Sequence, residues 1–204
     1  MSQIKLKHSG GNSVIIAAPD SNPASDRTLK LPSDGDGTIL TTNSATGKIL
    51  QVKSSAKTDV ASTTSTTFTA ISGLSVNITP SAASSKILVT ADLKVGNAGV
   101  AYFLQIVRGS TPIYIGDTES GKTPCLQQSY GGSDTGEGLY GMGLMGGTFL
   151  DTPTYNLGDT LTYSLQFKRG DDYNVTLYVN RTSYDSADYV GRGASSITVQ
   201  EVAA

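Results

Sequence analysis

Residues Gly116–Thr123, GDTESGKT, fit the phosphate-binding pattern G-x-x-x-x-G-K-[ST] and follow an apolar run, Ile113–Ile115. That chemistry needs a helix directly behind the loop, whose first N–H groups hold the anion. Here Pro124 comes straight after Thr123, and Gly131-Gly132 leaves room for only a short helix. No βαβ pattern surrounds the loop, and no apolar strand ending in Asp supplies a magnesium ligand. The stretch reads as a surface loop between strands, and a nucleotidase stays only as a third class of function.

Acid–base and nucleophilic chemistry have few residues to draw on. His8 is the only histidine and lies in the N-terminal unit, so no Ser/His/Asp or Cys/His group is expected around the second domain. Cys125 has only Lys122 as a nearby cation and reads as an inert thiol that forms no intrachain disulfide. Asp117, Glu119, Asp134, Glu137 and Asp151 could converge as paired carboxylates, but loop acids are ordinarily solvated. Asp171-Asp172 and Asp185/Asp188 could offer loop oxygens to calcium, with generic spacing. The expectation is no catalytic residue, no cofactor and no metal. Tyr130, Tyr140, Tyr184 and Tyr189 sit in polar loops beside Asn, Asp and Ser, the residue types that stack on sugars and hydrogen-bond to them. Tyr130, Tyr184 and Tyr189 are the receptor-binding candidates.

Strands are the elements left to position these groups. Only 16% of the 204 residues are charged, against about 25% in an ordinary globular chain. Gly, Ser and Thr are abundant and Trp is absent. Net charge is −2 with no basic patch, which argues against nucleic acid as a partner. No apolar stretch is long enough to span a membrane as a helix, and MSQIKLKHSGG carries no apolar signal core, so a cytoplasmic site of synthesis is expected. The N-x-T sequons at Asn77, Asn174 and Asn180 then read as chance matches in a Thr-rich chain.

Period-two alternation marks the strands. Ile87, Val89, Ala91, Leu93 and Val95 alternate with Lys86, Leu88, Thr90, Asp92 and Lys94. Val100–Arg108 is nearly apolar on both faces, so both are expected to be packed. With Ile113–Ile115 these runs predict a three-strand meander over Ser85–Gly116. Further strands are expected at Thr67–Ile71, Leu74–Ile78, Thr148–Leu150 and Ser196–Val202, with a hairpin of Leu161–Phe167 and Tyr173–Val179. Thr118–Gly147 is irregular and Gly-rich. Its residues Leu139, Tyr140, Met142, Leu144 and Met145 read equally as an intersubunit contact or as an edge strand packed on the core. Lys53–Thr66 is polar and without period, a linker or extended arm, and the domain boundary is placed near Ser54.

Residues 1–54 are a separate unit of short strands, with turn signals at Pro19, Asn22-Pro23, Pro32 and Asp34-Gly35-Asp36-Gly37. Their apolar side chains are too few for a monomeric core. The unit therefore needs a partner surface, through Ile4, Leu6, Val14, Ile16, Leu29 and Leu31.

RTLKLPSDGDGTILTTN, Arg27–Asn43, resembles the LxLP…GTL.TT unit of tail-fibre and related virion proteins of tailed bacteriophages. IKLKHSGGNSVIIAAPDS before it resembles the N-terminal segments of such proteins, particularly from marine phages. In residues 55–204, GLSVNITPSAASSKILVTADLKV, FLDTP (Phe149–Pro153) and SSITVQEV resemble a jelly roll of the tumour-necrosis-factor-like kind. These resemblances imply an all-β homotrimer: a short-stranded N-terminal stem or virion-docking segment (1–54), then a jelly-roll-like β-sandwich head (55–204) whose final strand is central. The implied function is a non-enzymatic structural protein of a tailed-phage virion, a short fibre or decoration on tail or capsid, assembled in the host cytoplasm with other virion proteins as partners. The alternative is a carbohydrate-binding receptor module that reads a host-surface glycan through the head loops.

Overall fold

The computed structural model describes residues 3–7, 9–11, 13–17, 48–96, 99–130, 139–170, 174–186 and 188–203. They form strands and loops, with no α-helix among them. The chain divides into two compact units, Met1–Ser44 and Ala45–Ala204. In the first, β1 (Gln3–Lys7) and β2 (Ser13–Ala17) pair antiparallel around a turn with Gly11 at φ 99°. Leu29 and Leu31 lie outside the described residues.

The second unit is a two-layer sandwich of antiparallel sheets. One sheet has six strands. Its spine runs β3 (Ile49–Lys57), β13 (Ser195–Val202), β6 (Lys86–Gly96), β12 (Leu177–Val179) and β4 (Ala61–Thr63), and β10 (Gly143–Asp151) also pairs with β6. The other has five, in the order β5 (Thr69–Ile78), β11 (Leu161–Arg169), β7 (Ala101–Arg108) and β8 (Thr111–Ile113), with β9 (Gln127–Tyr130) also on β7.

The alternation read from sequence becomes the two inner faces. Ile87, Val89, Leu93 and Val95 of β6, with Ile197 and Val199 of β13, meet Leu104 and Ile106 of β7 and Tyr163, Leu165 and Phe167 of β11. Burying one Leu or Ile side chain contributes about 1.5–3 kcal/mol, so this layer dominates the stability of the unit. On β5 the buried positions run Ile71, Leu74, Val76, and so the phase slips by one residue. Gly73, at φ 83°, sits in that slip, and the pairing with β11 shifts register between Ser164 and Gln166 opposite it. A β-bulge needs a residue that tolerates positive φ, and glycine does so without strain.

Three expectations are corrected. Ser85–Gly116 is not one meander: β6 lies in the six-stranded sheet, and β7 with β8 lies in the five-stranded one. Leu161–Phe167 and Tyr173–Val179 are not a hairpin: β11 pairs with β5 and β7, whereas β12 pairs with β6 and β4 across the core. Both sheets bury one face, so the same alternation serves a hairpin and a crossing between layers. Lys53–Thr66 is not a linker: Ile49–Lys57 pairs along β13 and Ala61–Thr63 pairs with β12. β3 is an edge strand whose side chains are mostly exposed, so a polar sequence suits it. β3 also spans the boundary expected at Ser54 and belongs to the second unit.

Candidate functional site

Asn180 directly follows β12 and is built into the base of a loop. Its backbone takes φ 63°, which Asn tolerates better than most residues, and it is fully buried. Its Nδ2 donates to the carbonyls of Lys57 (2.8 Å) and Asp59 (3.0 Å), and its Oδ1 accepts from Ser195 Oγ (2.6 Å). Its N–H donates to Lys94 O, and its carbonyl accepts from Gly193 N–H. The loop between is closed by an antiparallel bridge, Arg181 to Arg192.

Arg181 and Asp185 stiffen that loop from within. Arg181 lies over the Tyr178 ring at 4.1 Å and donates Nε to Thr182 O and Nη2 to Ser183 O. Asp185 takes Arg181 Nη1 at 3.1 Å and Arg192 Nη2 at 2.8 Å. The hydrogen bond from Arg192 holds its carboxyl below the ordinary aspartate value, against a partial desolvation, with the Arg181 charge adding to the effect. Asp185 is thus engaged by two guanidinium groups. Thr182 Oγ1 donates to Tyr184 O, and Tyr184 N–H donates to Leu139 O (3.1 Å), which ties the loop to the segment ahead of β10.

The result is a cluster of three exposed tyrosines from two parts of the chain. Tyr140 sits 5.2 Å from Tyr184 at 72° and 5.4 Å from Tyr189 at 60°. Tyr184 and Tyr189 are near-parallel, 12° apart with centroids at 6.5 Å. They are 38%, 45% and 64% exposed for Tyr140, Tyr184 and Tyr189. The Tyr189 phenol, followed by partial desolvation, pushes the Tyr140 hydroxyl above its ordinary pKa. Such a corner of aromatic faces edged by hydroxyls and an ion pair can stack and hydrogen-bond a ligand.

The structure thus brings Tyr184 and Tyr189 together and adds Tyr140, while Tyr130 lies apart on β9 and donates its hydroxyl to Gly99 O (2.8 Å). Of the Gly-rich stretch, Met145 is buried in the core, Leu144 is 62% exposed on β10, and Met142 lies beside Gly193 at the foot of the tyrosine loop. Leu139 supplies the carbonyl that holds Tyr184. Arg181 and Arg192 were missed in the sequence, and Asp185 was considered there only as a loop oxygen donor to calcium, not as the partner of two arginines. The spacing of Arg181 and Asp185 carries no period in a loop and gives no signal there.

A second surface lies along β10, which has no strand partner beyond β6 among the described residues. A groove of about 480 Å³ is lined by Tyr114, Ile115, Cys125, Leu126, Gln127 and the glycines at 116, 146 and 147. Tyr114 stacks on Phe149 at 4.5 Å, and Gln127 Oε1 accepts from Gly146 N–H at 2.9 Å. Burial raises the Cys125 thiol pKa, which disfavours the reactive thiolate. The GDTESGKT loop leads into β9 rather than a helix; Gly116 N–H donates to Cys125 O and Lys122 N–H to Glu119 O.

In the first unit the register sets Ile4 opposite Ile16 and Leu6 opposite Val14, so four of the six docking candidates form cross-strand pairs. Leu6 is 58% exposed. No family model matches the chain, and no curated protein matches it.

Proposed function

We propose that this chain is a non-enzymatic structural protein of a tailed-phage virion, a trimeric short fibre or decoration protein on tail or capsid. Its N-terminal unit docks on the particle, and its second unit projects as a jelly-roll head. The observation that carries the reading is the division of the chain. A sandwich with a complete core of its own follows a small unit that contains the fibre-like Arg27–Asn43 motif. The jelly-roll reading is supported by the way successive strands cross between sheets: β5, β6 and β7 alternate layers, as do β10, β11 and β12. It is supported also by the interior position of β13 between β3 and β6. The tyrosine cluster favours a second role for the same head, contact with a host-surface glycan. Immunogold labelling of purified particles tests the main reading. The expected result is label at fixed positions on intact virions, and label confined to the soluble fraction of the lysate would overturn it.

A further inference from the structure

We propose that Tyr140, Tyr184 and Tyr189, together with Arg192 and Asp185, form a binding site for an uncharged pyranose unit of a surface polysaccharide. The proposal rests on the glycan-contact reading of the head and goes further by fixing the residues and the sugar class.

Three partly exposed aromatic rings sit against one another and leave apolar surface that a ligand with an apolar face would cover. These rings are also held in place before any ligand arrives. The Arg181–Arg192 bridge, the Asp185 ion pairs and the Tyr184–Leu139 hydrogen bond fix the loops that carry them. Fixing them in the free protein removes an ordering cost from binding, and tyrosine offers rigid contact area at low side-chain entropy.

The shape and chemistry of the corner match a sugar ring. Tyr140 stands steeply to the near-parallel pair Tyr184 and Tyr189, so one ring can face the C–H side of a pyranose while another meets its edge. Arg192 is half exposed and commits Nη2 to Asp185, which leaves further guanidinium N–H groups to donate. The Asp185 carboxylate has lone pairs beyond those that Arg181 and Arg192 use. A donor and an acceptor side by side, with phenol hydroxyls next to them, suit neighbouring hydroxyls on one sugar. Within the loop from Arg181 to Arg192 the two arginines are matched in number by Asp185 and Asp188, so the loop itself carries no net charge to favour an anionic or cationic unit. A quaternary ammonium would use the ring faces but leave the hydroxyl-matching groups without partners.

The test titrates the full-length chain with methyl hexopyranosides, neutral oligosaccharides, a uronic acid and tetramethylammonium. The readout is tyrosine fluorescence, unobscured because the chain has no Trp, together with calorimetry. A neutral saccharide should bind. Its affinity should fall about tenfold or more in Tyr184→Ala and Tyr189→Ala, the scale of one lost stacking contact. It should persist in Tyr184→Phe, which keeps the ring, and in Tyr130→Ala, which lies outside the cluster. Circular dichroism of each variant confirms the fold. Saccharide binding that survives both alanine variants would overturn the site while leaving a glycan-binding head in place. Absence of any neutral saccharide binding, or preference for tetramethylammonium or the uronic acid, would overturn the proposal outright, and the first of these would remove the glycan reading with it.

Discussion

Glu201 shows how a single side chain holds together segments distant in sequence. It is fully buried on β13, and its carboxylate accepts from Gln51 Nε2 (2.6 Å), Ser81 N–H (2.8 Å) and Ala82 N–H (3.2 Å). It thereby fixes the β5–β6 connection against the start of β3. Desolvation pushes its pKa up, but the hydrogen bonds from Gln51 and the backbone outweigh it, and the group sits below its ordinary value of 4.5. Folding therefore favours the charged form. Its contribution is complete above pH 4.5 and is lost as pH falls through the lowered folded value. Glu201→Gln should cost about 1–3 kcal/mol at neutral pH, and the gap to the native chain should narrow below that range. Urea melts at pH 7 and pH 3 check this, and a gap of equal size at both would contradict it. Asp151 is a second buried carboxylate, which accepts from Arg108 Nη1 and from the Tyr163 hydroxyl (2.7 Å). Burial, then the Asp151 hydrogen bond, push the Tyr163 phenol far above its ordinary pKa. Tyr163→Phe should lose about 1.5–3 kcal/mol in a denaturant melt, the worth of a hydrogen bond to a charged group; no loss would mean that the contact does not form. None of these partners was legible in the sequence. A buried acid at an inward strand position looks identical to a solvated one until the opposite elements are known.

At the scale of elements, inward faces were legible wherever apolar residues alternate. β6, β11 and β13 bury the side chains that the period-two pattern selects. Which strand pairs with which was not legible. Leu165 and Leu177 both reach the core, but from opposite sheets, and alternation does not record the layer. Only the start of β3 was legible, as a strand expected at Ile49, Leu50 and Val52; its continuation to Lys57 is polar and mostly exposed, with no apolar period to show. The Gly-rich stretch has a more definite reading in the structure. Gly146 faces Asp92 in the β10–β6 register, and a Cβ there would strike the Ala91 carbonyl. Gly141 faces open space and has no positive φ. Gly146→Ala should therefore destabilise the fold by about 1–3 kcal/mol, the cost of forcing a strand apart, while Gly141→Ala should change little. Thermal melts of the pair decide it, and equal effects would mean that β10 does not approach β6 so closely.

For the whole molecule, the proposed division of labour is a head that folds by itself and an N-terminal segment that docks on the particle. Among the described residues, twenty-odd apolar side chains of the second unit form the sandwich core. In residues 1–54 few apolar side chains lie between the turn signals, which is why a partner surface is expected there. The exact seam was not legible, since β3 continues through the polar residues past Ser54. A truncation at Ser54 would strip β13 of much of its edge partner, so the informative cut lies at Ser44. The most direct measurement is incorporation into phage particles, with two chains compared: residues 45–204 alone, and residues 1–44 fused to a reporter. The account predicts that the first folds as a soluble β-rich head and stays off the particle, while the second is carried on it. If residues 45–204 decorate particles and the fusion does not, the sandwich is the dock, and the central claim fails.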